Sequence, residues 1–143
     1  MTDVPGLADF PLRARDKLRY RDTDRQGHVN NAVYASLLET ARVELIYDRD
    51  HHLVEPGASF VIARLEVDFR SELFWPGEVV IGSRISEIGR SSVRLAQAIF
   101  QDDRCAATAM SIIVQVDEQS RRARPFSDAV RQRFAELARN APA

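Results

Sequence analysis

The sequence predicts an α+β domain, and three observations carry that prediction. Residues 12–21 alternate between polar and apolar side chains, the period-two pattern of a strand with one packed face and one wet face. Residues 32–47 carry apolar side chains at helical spacing over about four turns. Four more strand-like segments then follow between residues 59 and 116, with no second long helix among them. One long helix against a mostly antiparallel sheet is α+β architecture.

Taken in chain order, residues 1–11 are expected to form a loosely held N-terminal arm of a single domain spanning 1–143. In the first strand, Ala14, Leu18 and Tyr20 are expected on the packed side, interrupted by Asp16. Arg13, Arg15, Lys17, Arg19 and Arg21 fall on the other side. Asp22 to Asn31 is polar, contains Gly27 and reads as a loop. Asn30 or Asn31 can cap the first turn of the helix, expected over 32–47. Val33, Leu37, Ala41 and Leu45 form one apolar row, and Tyr34 and Leu38 widen it. Pro56-Gly57 leads to a strand over 59–70, where Leu65, Val67 and Phe69 alternate with Arg64, Glu66, Asp68 and Arg70. Pro76-Gly77 marks a turn. Segments 78–88 and 91–101 make a hairpin around Gly89, and 104–116 ends in Ile112-Ile113-Val114. Pro125 interrupts the chain, and a final helix is expected within 126–140, with Ser127 as its cap.

Composition limits the function. The 143 residues carry a net charge of −1, with 45% hydrophobic and 29% charged side chains. That supports one core and argues against nucleic acid as a partner, since such binding rests on excess Lys and Arg. The single cysteine, Cys105, cannot form an internal disulfide and fits a reducing compartment. The first ten residues lack the basic start and long apolar run of a signal peptide, and no apolar run approaches the roughly 20 residues of a membrane helix. A cytoplasmic protein with no membrane partner is expected. The chain has no G-x-S-x-G, G-x-G-x-x-G, P-loop or H-E-x-x-H. His28, His51 and His52 have no cysteine at metal-ligand spacing. Chemistry would have to come from carboxylates, amides and backbone groups, with no metal or bound cofactor.

The informative segment runs from Tyr20 to Arg42: Tyr20-Arg-Asp22-Thr-Asp24-Arg-Gln-Gly27-His28-Val-Asn30-Asn31-Ala-Val-Tyr34, continuing to Glu39-Thr-Ala41-Arg42. Physically it is a strand end, a carboxylate loop and a helix start. Free N–H groups and the helix dipole stabilise negative charge at that end. A carboxylate a few residues earlier can serve as base or nucleophile. The alternative is that Asp22, Asp24, Asn30 and Asn31 only cap and close a turn.

This segment resembles the motif of the 4-hydroxybenzoyl-CoA thioesterase family, in the branch with D-x-D-x-x-G-H-V-N-N-x-x-Y followed by E-x-A-R. Asp22, Asp24, Gly27, His28, Val29, Asn30, Asn31, Tyr34, Glu39, Ala41 and Arg42 stand at those places. The strand at Ser59–Arg70, the turn at Pro76-Gly77-Glu78 and the hairpin at Gly89–Ser92 are also similar, so the pattern extends over roughly residues 12–130. The resemblance implies a hot-dog fold, a five-stranded antiparallel sheet wrapped around the long helix. It implies a homodimer with sites between subunits, often a dimer of dimers. It implies that Asp24 attacks an acyl-CoA thioester or activates water, while the Asn31 N–H polarises the carbonyl. Some members have histidine where this chain has Asn31, so no histidine acid–base role carries over to that position.

For the remaining candidates, both readings stand. His28 either touches substrate and orients Asp24 or closes the loop by hydrogen bonding. Glu39 is either a second carboxylate of the site or the partner of Arg42 in an i,i+3 pair. Tyr20 and Tyr34 are pocket walls or core. The Arg13–Arg21 stripe either attracts the phosphates of coenzyme A or is a solvated edge. Arg64, Arg90, Ser91 and Ser92 stand where related enzymes contact pantetheine and nucleotide. The acyl group is expected to run along the helix and the 59–64 strand, past Gly27 and Phe60. The expected reaction is hydrolysis of acyl-CoA to acid and thiol, with acyl-carrier protein as a possible alternative thiol carrier. A hydratase or dehydratase acting on acyl thioesters, or a non-catalytic acyl-CoA binding protein, are the alternatives.

Overall fold

The computed structural model describes residues 4–139. The first three residues of the expected arm, and position 140 of the expected final helix, lie outside the described residues. Strands β1 (Leu12–Lys17), β2 (Ala58–Phe69), β3 (Glu78–Ile88), β4 (Ser92–Gln101) and β5 (Arg104–Asp117) form one sheet in the order β1-β3-β4-β5-β2. Every neighbouring pair is antiparallel. Helix α1 (Asn31–Tyr47) lies on one face of this sheet, and α2 (Asp128–Arg139) follows the last strand.

The helix buries Tyr34, Leu37, Leu38, Ala41, Leu45 and Ile46, the wide stripe its spacing predicts. Its first half packs on Leu18, Val79, Ile81 and Ile99. Its second half meets Ile85, Val93, Leu95 and Ile113, and there α2 closes the core with Val130 and Phe134. The two ends of α1 therefore face different neighbours. The start faces the β2–β3 connection, and the end faces the β3–β4 hairpin and α2.

Two departures from the sequence reading bear on the site. The first strand ends at Lys17 instead of running to residue 21. Leu18 still donates its N–H to Gly77 O at 2.9 Å, but the chain then makes a 3-10 turn at Tyr20–Asp22. Tyr20 is 73% exposed and does not share the packed side with Ala14 and Leu18. The second departure is at the arm. Phe10 is buried, packs edge-on to Phe100 and lies over Gly82, where a Cβ would come within 2.6 Å of the Phe10 Cβ. Arg13 donates to the carbonyls of Phe10 and Leu7, so the arm is fixed from Leu7 onward.

At the sheet edges lie β1 and the twelve-residue β2. Its register with β5 shifts between Ile62 and Arg64, as at a β-bulge. Val61, Ile62 and Phe69 are large apolar residues left exposed on this edge.

Candidate active site

Residues 22–30 form a small closed loop between the 3-10 turn and α1. Thr23 and Val29 face each other as an antiparallel bridge, and the Asp24 N–H donates to His28 O at 2.7 Å. Gly27 turns the loop tip at φ +83°, a conformation that side-chain-bearing residues seldom adopt. The loop is fastened at both ends. The Asn30 N–H reaches Asp22 O at 2.8 Å, and the Val29 N–H reaches Leu73 O at 3.1 Å.

Both aspartates close turns. Asp22 Oδ2 accepts the Arg19 N–H at 2.8 Å. Asp24 Oδ1 accepts the N–H groups of Gln26 at 2.8 Å and His28 at 3.2 Å. Asp24 Oδ2 has no donor among the described residues. One carboxylate oxygen is thus fixed by the loop and the other stays available.

The helix start is asymmetric in the same way. Asn30 is the cap, its side-chain oxygen accepting the Ala32 N–H at 2.9 Å, and the Val33 N–H bonds Asn30 O at 2.9 Å. The Asn31 N–H, at the first helical position, has no acceptor among the described residues. That is the donor a helix start ordinarily leaves for a ligand, at the positive end of the dipole.

His28 contacts a residue the sequence reading missed. Its Nδ1 lies 3.1 Å from Glu72 Oε1, and its ring stands edge-on to Phe74. Arg104 completes this wall, donating to Ser71 Oγ at 2.6 Å and Glu72 O at 2.7 Å and lying over the Phe74 ring. Tyr34 lies beneath as core. Its hydroxyl donates to Ser71 O and accepts the Leu73 N–H, and burial pushes its pKa above the ordinary phenol value. Tyr20 sits on the rim against Trp75, with ring centroids 5.2 Å apart. Glu72, Phe74 and Arg104 carry no motif, and nothing in their local sequence marks them.

The other candidates lie elsewhere. Glu39 is exposed, and no ion pair joins it to Arg42. Instead Arg42 is buried, and its Nη1 reaches Gln97 Oε1 at 3.5 Å. Phe60 lines a groove with Glu39 and Arg42, between α1 and β2. Exposed Arg64 pairs with Glu66. Arg90, Ser91 and Ser92 form the β3–β4 hairpin, whose Gly89 and Arg90 carbonyls accept from Arg131 of α2. Strand β3 runs eleven residues from the Gly77 end to this hairpin, so the hairpin lies about 35 Å from the Asp24 end. Within one chain, the structure brings Asp24, Gly27, His28 and Asn31 together and holds Arg90, Ser91 and Ser92 apart from them. His51 places Nδ1 2.9 Å from Leu45 O near the helix end.

Residues 18–134 match the model of the thioesterase-like superfamily. The chain belongs to that superfamily. A thioesterase from Thermus thermophilus, solved in complex with coenzyme A and Zn, is 34% identical with a TM-score of 0.75, covering 91% of this chain and 96% of its own. A Pseudomonas aeruginosa protein is 23% identical with a TM-score of 0.83, covering 93% and 95%. A hypothetical protein from Staphylococcus aureus, solved in complex with CoA, is 14% identical with a TM-score of 0.83, covering 92% and 86%. These last two likenesses show the fold alone. No curated protein matches the chain. With these neighbours the five-stranded antiparallel sheet and its helix are the fold of the hot-dog thioesterases. Among the described residues, no group of three or more His, Cys, Asp or Glu could hold a metal, and no helix is long and apolar enough to cross a membrane.

Proposed function

We propose that this superfamily member hydrolyses acyl-CoA thioesters at the Asp24 loop, in the manner of the 4-hydroxybenzoyl-CoA thioesterase branch. One observation carries the reading: the free Asn31 N–H at the start of α1 follows a loop that fixes one oxygen of Asp24 and leaves the other unbonded.

The chemistry follows from that pairing. The thioester carbonyl oxygen accepts the Asn31 N–H. As the carbonyl carbon becomes tetrahedral, the negative charge on that oxygen develops at the positive end of the helix. The Asp24 carboxylate either attacks the carbon or takes a proton from the water that does. The thiolate leaves and is protonated as coenzyme A. Attack by water gives the free acid directly, whereas attack by Asp24 gives a mixed anhydride that water then hydrolyses to the acid, releasing the carboxylate. His28 orients the loop, with Glu72 holding its Nδ1.

Coenzyme A as the carrier is supported by the Thermus thermophilus relative, whose structure holds it. The hairpin residues Arg90, Ser91 and Ser92 would meet a ligand at Asp24 only from a second copy of the chain. We therefore read the active unit as a homodimer or homotetramer, with the exposed apolar edge of β2 as the side to be covered. The cytoplasm is the compartment that one buried free cysteine fits.

The test is thiol release from a panel of aromatic and straight-chain acyl-CoA substrates, run beside acyl-carrier protein thioesters and an absorbance assay for enoyl-CoA hydration. Thiol release without hydration supports the reading. Hydration alone would assign a hydratase, and tight binding without turnover a binding protein.

A further inference from the structure

Arg42 is 6% exposed, yet its guanidinium has a single hydrogen-bond partner among the described residues, the neutral Gln97 Oε1 at 3.5 Å. A guanidinium carries five N–H donors and does not lose its charge in proteins. Burying it with one long bond is costly unless something else supplies acceptors. Gln97 has little more to offer, because its amide nitrogen is spent on Leu38 O and Ser83 Oγ.

Arg42 does not face packed core alone. It lines a cavity of about 170 Å³ between α1 and the β2 edge, walled by Ile46, Phe60, Ile62 and Ile113. Ile113 is flanked on the same face of β5 by Ser111 and Gln115. Ser111 Oγ and Gln115 Oε1 are also buried without partners. Buried polar atoms without partners are few in folded proteins and call for a cause. Neither Ser111 nor Gln115 is a wall of the groove, which leaves Arg42 as its buried polar group. Glu39 lines the same groove but is exposed and makes no ion pair with Arg42.

We propose that Arg42 determines acyl specificity by binding an oxygen, carboxylate or hydroxyl, near the far end of the substrate's acyl chain. The proposal rests on the thioesterase reading above and names the substrate class of that site. Arg42 lies eleven residues beyond Asn31 on the same helix, about 16 Å along its axis. An acyl chain held at the Asn31 N–H and extended along α1 would bring its far end to Arg42 after about a dozen bonds. The apolar walls take the methylenes, and the guanidinium takes the oxygen. A plain fatty acyl chain of that length would leave Arg42 without its acceptor, whereas a short or simple aromatic acyl group would not reach it.

The experiment compares dodecanoyl-CoA with ω-hydroxydodecanoyl-CoA and the CoA monothioester of dodecanedioic acid. Hexanoyl-CoA and the monothioester of hexanedioic acid serve as the pair too short to reach. Free dodecanedioate and dodecanoate are tested separately by thermal shift. The wild type should favour an oxygenated twelve-carbon substrate over the plain one by at least about tenfold in kcat/KM, the size of a charge-assisted hydrogen bond. It should show no such preference in the six-carbon pair, and the carboxyl and hydroxyl arms identify which oxygen is bound. Dodecanedioate should raise the melting temperature more than dodecanoate. In Arg42→Met both differences should collapse, and if that variant does not fold, the wild-type comparisons decide alone. Hydrolysis with equal rates and equal thermal shifts overturns the Arg42 proposal and leaves the thioesterase reading intact. No hydrolysis of any thioester, with a shift specific to dodecanedioate, overturns the thioesterase reading and leaves the Arg42 site standing. If the preference is absent and Arg42→Met instead lowers the assembly mass, the guanidinium belongs to a subunit contact and the proposal fails.

Discussion

The Tyr34 hydroxyl accepts the Leu73 N–H at 3.1 Å, fastening the β2–β3 connection to the first turn of α1. Leu73 in turn accepts the Val29 N–H from the Asp24 loop. Helix start, carboxylate loop and the Glu72 wall are thus joined at one residue.

Tyr34→Phe removes the acceptor and leaves the Leu73 N–H buried and unpaired. The cost should be about 1–3 kcal/mol, read by chemical denaturation. A stability unchanged within error would show that the loop closes without this bond.

Asp24→Asn should preserve the loop, because an amide oxygen can still accept the Gln26 and His28 N–H groups. The kcat should fall by about 10² to 10⁴, as for loss of a base or nucleophile, with the melting temperature near wild type. Asp22→Asn should keep most of its turnover. Folded Asp24→Asn retaining more than about a tenth of wild-type kcat would exclude it as the base or nucleophile.

Arg90→Ala tests the hairpin. Its carbonyl already serves α2, so only the side chain is in question. The KM for acyl-CoA should rise more than kcat falls, and the loss should shrink with truncated pantetheine substrates that lack the phosphates. Equal loss on both substrate types would point to folding instead.

Light scattering at micromolar concentration should give two or four times the 16.2 kDa chain mass. A fully active monomer would contradict a site completed by a second copy.

Acid stability has a predictable sign at Asp117. The Ser120 and Gln119 N–H groups donate to its carboxylate and, with Arg124 nearby, hold its pKa below the usual value. A depressed folded-state pKa contributes stability above the unfolded-state value, and that contribution is lost as the pH falls through the folded value. Asp117→Ala should therefore lower the melting temperature at neutral pH and shallow its decline below about pH 4. A parallel decline in both proteins would refute the assignment.

The elements were legible because their periods were clean. The helix expected over 32–47 is observed at Asn31–Tyr47, and the strand expected over 59–70 at Ala58–Phe69. Tyr20 misled because Arg19 and Arg21 continue the alternation of the strand, while the Asp22 carboxylate folds that stretch into a turn. The loop itself was legible from Asp24 to Asn31, since Gly27 and the Asn30 cap act locally. Glu72 was not, because its contact with His28 spans 44 positions that only the sheet brings together. Nor was Arg42, since charged residues are seldom buried and its spacing suggested Glu39 as a neighbour.

The strand order also fixes a timetable for folding. Strands β3, β4 and β5 are consecutive in the chain and consecutive in the sheet, so their pairing is local. Strand β1 must wait for β3, and β2 must wait for β5, each across a long stretch of intervening chain. Distant pairings carry the larger loop-closure entropy and form more slowly. The Asp24 loop is anchored through Leu18 to Gly77 and through Val29 to Leu73. It therefore takes its final shape only once Leu73 and Gly77 are in place, so a segment made early must wait for residues far downstream.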